Sequence, residues 1–104
     1  MYIQAIRDNI ENLPDVIYQM EKEYLEAKAQ LVHMGDLTKH LLAKWKGEYA
    51  GSNAEKERLA MAKKEYRIHL EGILAQEILT ADLAAKFHLE ERRFEAMRSL
   101  NKNV

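Results

Sequence analysis

The sequence predicts an all-α fold: a long antiparallel helical hairpin, coiled-coil-like, with a short N-terminal helical arm, assembling into a helical-bundle oligomer. Three observations carry this. Apolar residues recur in alternating steps of three and four along most of the chain. No stretch alternates with the period of two that a half-buried strand needs. Glycine and proline are scarce, four and one in 104 residues, and two of the glycines fall in one short segment.

The first half carries the clearest seam. Ile3, Ile6, Ile10, Leu13, Ile17, Met20, Tyr24, Ala27, Leu31, Met34, Thr38, Leu41 and Trp45 follow the three-four rhythm of a coiled coil. Pro14 interrupts it, although the phase continues from Leu13 to Ile17. Proline has no N–H and clashes with the carbonyl four residues back. It therefore either starts a second helix as that helix's first residue or kinks one continuous helix. A break or sharp kink is the expectation, with residues 1–13 as an arm and 14–47 as the first long helix.

Residues 48–52 form the expected turn. Gly47 and Gly51 favour termination, and Ser52-Asn53-Ala54-Glu55 has the form of a capping box. The second long helix then spans 53–100. Leu59, Tyr66, Ile73, Thr80, Phe87 and Phe94 repeat by seven, with Ala62, Leu83 and Met97 at the complementary positions. His69, Gln76 and Glu90 share those positions and make the seam imperfect. A second row, Leu70, Leu74, Ile78, Ala81, Ala85 and Leu89, widens the apolar stripe beyond what one neighbour can cover. It is the candidate oligomer interface, facing either the arm or a second copy. At ~1.5 Å per residue the two long helices measure ~50 and ~70 Å, and the arm makes up the difference. The last four residues, Asn101 to Val104, are expected to fray.

Composition excludes several function classes. With no cysteine there are no disulfides, thiolate metal sites or cysteine nucleophiles. No apolar run near 18 residues and no leader-like start point to a cytoplasmic, soluble protein without membrane contact. One tryptophan and two phenylalanines make a thin core, so self-association is expected.

Chemistry is sparse. The spacing Gly47-Glu-Tyr-Ala-Gly51-Ser-Asn lacks the lysine and spacing of a phosphate loop. His33, Asp36 and His40 share one helical face but have no fourth ligand, so no metal or other cofactor is expected. Serines occur only at Ser52 and Ser99, and no nucleophile–base arrangement exists. The expectation is a protein that is not an enzyme and has no small-molecule substrate.

Charge is segregated instead. From Asp8 to Asp36 seven acids face two bases, a net −5, whereas from Leu37 to Arg67 eight bases face four acids, a net +4. The turn end is thus basic and aromatic. Lys44, Trp45, Lys46, Tyr49, Lys56 and Arg58 are the candidate partner-binding residues, for protein or for single-stranded DNA. Trp45 and Tyr66 also fit the seam as core residues. Acidic and basic ends could equally meet head to tail between copies.

The runs Glu21–Leu31, Gly51–Leu59 and Ala81–Leu100 together resemble small helical proteins of phages and prophages. In these, two acidic, alanine-rich helices flank a loop of the form G-x-N-A-x-x-R/K. The string Gly51-Ser52-Asn53-Ala54-Glu55 is its distinctive part. The resemblance covers residues 15–100 and implies a non-enzymatic protein encoded near recombination or replication functions, binding a partner there. The first 14 residues and the aromatic content depart from that pattern. The alternative is a structural adaptor or inhibitor that docks a helix groove on one protein partner and touches no nucleic acid.

Overall fold

The computed structural model describes the backbone of residues 2–102 and side chains from residue 12 onward. The described residues form three helices: α1 (Tyr2–Lys46), α2 (Asn53–Met61) and α3 (Lys64–Lys102). No strand occurs among the described residues, and none of their helices is long and apolar enough to cross a membrane. The all-α helical hairpin is therefore the architecture. Ile3, Ile6 and Ile10 lie outside the described side chains. Asn101 and Lys102 continue α3, and the remaining two positions lie outside the described residues.

Two of the expected boundaries need correction. Pro14 does not separate an arm from a helix, because α1 runs through it as one 45-residue helix. The unbroken seam phase from Leu13 to Ile17 explains why. Leu13 and Ile17, on either side of Pro14, are both half-buried on one face, so packing favours a helix that carries on despite one missing backbone bond. The second helix, expected over 53–100, is divided at Ala62–Lys63 into α2 and α3. There the Ala62 N–H still reaches the Arg58 carbonyl at 3.1 Å, but the Lys63 N–H bonds the Ala60 carbonyl at 3.2 Å, a tighter i→i−3 turn. Lys63 turns away to its own partners across the loop, and Ala62, expected in the seam, is exposed.

The chain forms two compact units. One combines α1 up to Glu26 with α3 from Thr80 onward; there Tyr24 stacks on Phe87 with ring centroids 6.2 Å apart. Phe87 and Thr80 are buried among its described residues. The other spans residues 27–79 and holds the rest of α1, α2 and the start of α3. Its buried residues are Ala27, Trp45 and Ala60. Here α1 and α3 run antiparallel: the Gln76 amide donates to the Ala27 carbonyl at 3.0 Å, Thr38 meets His69, and Trp45 meets Tyr66. The seam predicted for α1 holds, since every member from Leu13 to Trp45 is buried or half-buried.

The polar seam positions turn inward and find partners. Thr38 Oγ1 lies 3.2 Å from the Met34 carbonyl and 2.7 Å from His69 Nε2. The hydroxyl can donate or accept, so it matches the ring nitrogen in either tautomer. A histidine on the seam is thus a satisfied core group, not a defect.

Candidate interaction surface

The turn is built from its backbone outward. Lys44 and Lys46 sit in the last turn of α1, where the helix dipole favours cations. Beyond it the Glu48 and Tyr49 N–H groups bond the Trp45 and Lys46 carbonyls at 3.1 and 3.2 Å, winding the chain down through i→i−3 turns. Gly51 holds φ +123, a conformation that side chains resist. Ser52 then caps α2, its Oγ accepting from the Glu55 N–H at 3.2 Å. The Glu55 carboxylate folds back over Gly51, where an added Cβ would come within 2.5 Å of Oε2. An acid of the chain itself thus lies beside the start of α2, which disfavours a phosphate there.

Six residues were candidates for this end, and they fall into two groups. Trp45 is buried, 7% exposed, and meets Tyr66 edge-on at 6.4 Å and 83°. It is a core residue and offers no face to a base. Tyr49 is half-buried, with the Lys63 ammonium 5.7 Å above its ring. The four cations differ: Lys44 and Arg58 are exposed, Lys46 and Lys56 half-buried. None of the four makes an ion pair among the described residues.

Lys63 is the organising residue that the sequence did not single out. It bridges to Glu48 and covers Tyr49, tying the start of the loop to the α2–α3 break. Its pKa is raised above the usual 10.5, first by the hydrogen bond to Glu48 and then by that carboxylate's charge. Only its tie to residues 14 and 15 positions away marks it, and spacing in a sequence does not reveal that. Beside it an open groove of about 470 Å³ follows the break. Met61, Ala62, Tyr66 and Leu70 line it together with Lys63, Lys64 and Arg67.

The predicted oligomer row is solvent-facing throughout. In the unit of residues 27–79, Leu70, Leu74 and Ile78 are 41, 56 and 63% exposed. At i, i+4 and i+8 they form one ridge, and Leu70 also lines the groove. In the other unit Ala81, Ala85 and Leu89 are exposed as well. No three metal-ligand side chains gather among the described residues, His33, Asp36 and His40 included.

Models of known protein families, curated proteins and solved structures give no match to this chain. The phage-type resemblance therefore rests on its own residues, and its loop pattern is met only in part. Gly51, Asn53 and Ala54 fit, but Glu57 stands at the basic position and Arg58 lies one residue on.

Proposed function

We propose that this chain is a non-enzymatic helical interaction protein that self-associates through the outer face of α3. One observation carries the reading. Among the described residues the core holds four buried hydrophobic residues, two of them alanines, while Leu70, Leu74 and Ile78 stand exposed on one ridge. A hairpin with so thin a core gains most by covering that ridge, and a second copy supplies an identical ridge of matching length and chemistry. Sedimentation equilibrium tests it. At about 0.5 M salt, where contacts between exposed charges are screened, the native chain should associate and Leu74→Glu with Ile78→Glu should leave a helical monomer. A native monomer at tens of micromolar would sink the proposal.

The partner context proposed here is DNA recombination or replication, which rests on the Gly51–Glu55 resemblance. Direct contact with single-stranded DNA is a second reading, favoured by Lys44, Lys46, Lys56 and Arg58 having no ion-pair partner among the described residues. With Trp45 buried and Tyr49 covered, such contact would be to phosphate and not by stacking. Anisotropy of a labelled oligonucleotide at low salt should rise with native protein and not with Lys44→Glu/Lys46→Glu. No rise with native protein leaves the adaptor reading, in which a protein partner alone is bound.

A further inference from the structure

We propose that the groove at the α2–α3 break receives the acidic outer surface of α1, residues 15–26, of a second copy, in a head-to-tail contact. Complementary charge and complementary apolar surface both point to this occupant. Lys64 at the groove makes no ion pair among the described residues, and Arg67 holds Glu71 only at 3.8 Å with both side chains largely in solvent. On α1, Asp15, Glu21, Glu23 and Glu26 are all exposed, and none makes an ion pair among the described residues. Four acids against Lys22 alone give that segment a net −3. Each surface also presents apolar side chains: Met61 and Leu70 in the groove, and Val16 beside Glu23 and Glu26 on one face of α1.

Two different patches meet in such a contact, so it is heterologous and extends into chains or closes into rings instead of stopping at a dimer. It shares only Leu70 with the α3 ridge and is read separately from it through Leu74 and Ile78. Charge pairing of exposed groups weakens with salt, whereas burial of an apolar ridge does not.

The test is a charge exchange followed by sedimentation velocity. Native protein at low salt should show a sedimentation coefficient that keeps rising with concentration, and at about 0.5 M salt, where screening acts within ~4 Å, the rise should stop. Lys64→Glu/Arg67→Glu should abolish the rise, and so should Glu23→Lys/Glu26→Lys, an i, i+3 pair on one face of α1. Mixing the two variants should restore it, because the acidic groove of one faces the basic α1 of the other. In the reciprocal contact both surfaces are native. The Leu74→Glu/Ile78→Glu variant removes the ridge contact and should keep the salt-sensitive association. A rise that persists in both charge variants, or a mixture that behaves like its components, would overturn the proposal. Oligonucleotide binding by the native chain that is lost in Lys64→Glu/Arg67→Glu, with self-association unchanged in that variant, would assign the groove to nucleic acid, which also overturns it.

Discussion

Replacing Trp45 by alanine separates a core role from a recognition role at the turn. A buried tryptophan removes about 150–250 Å² from water. At about 25 cal/mol per Å², that is ~4–6 kcal/mol for a residue as covered as this one. A denatured chain that is already partly compact lowers the figure to roughly 3–5 kcal/mol. That agrees with the ~3–5 kcal/mol usual for truncating a buried Phe or Trp. A 104-residue chain has about 5–15 kcal/mol to lose. Urea titration followed by helical circular dichroism, at one fixed protein concentration, should therefore show the midpoint falling by about 2 M at a slope near 2 kcal/mol per M. In the native protein the single tryptophan should emit to the blue, resist acrylamide quenching and stay unchanged on adding oligonucleotide. A midpoint shift under ~0.5 M, with emission typical of a hydrated indole, would refute the assignment of Trp45 to the core.

Four further outcomes follow from the same contacts. Ser52→Ala removes the cap of α2 and should cost about 1 kcal/mol in urea titration. Gly51→Ala should cost more, since φ +123 strains any side chain and the new Cβ meets Glu55. Thr38→Val and His69→Leu should each cost about 1–3 kcal/mol by leaving a partner unmatched, while the double substitution should cost less than their sum. For Lys63 the folded pKa is raised, so its contribution is fully present below pH 10.5 and is lost as pH rises beyond its raised value. Native protein should lose stability across that alkaline window more steeply than Lys63→Met, and equal slopes in thermal melts would exclude the Lys63–Glu48 bridge as the cause.

Local periodicity was enough to place the seam, and tertiary detail was not. The run from Leu13 to Trp45 is inward-facing because a three-four rhythm admits only one buried face on a helix. His69, Gln76 and Glu90 looked like faults in the second seam, yet all three are half-buried. His69 finds Thr38 and Gln76 finds the Ala27 carbonyl. Those partners lie 31 and 49 residues away, so only the folded pairing could reveal them. The division at Ala62–Lys63 contains neither glycine nor proline. It accompanies a bridge and a cation–π contact that Lys63 makes across the loop. At the basic end, composition was informative about the four cations but not about Trp45. A tryptophan at a heptad position and a tryptophan in a basic patch read alike until the facing helix is in place.

Pro14 gives a test whose sign alone decides between the two readings of the N-terminal region. If proline were the first residue of a separate helix, its missing N–H would be one of the unpaired donors of that helix start, and its fixed φ would favour the fold. Alanine there would then be neutral or destabilising by about 0.4–1 kcal/mol, because the unfolded chain gains freedom. Inside α1 the balance reverses. The carbonyl of residue 10 lacks its donor, and proline in a helix interior costs about 3 kcal/mol relative to alanine. That figure already contains the freedom gained by the unfolded chain, so Pro14→Ala should be stabilising by up to about 3 kcal/mol. A gain in helical circular dichroism should accompany it. A variant less stable than the native chain would restore the separate arm and reject the single helix from Tyr2 to Lys46.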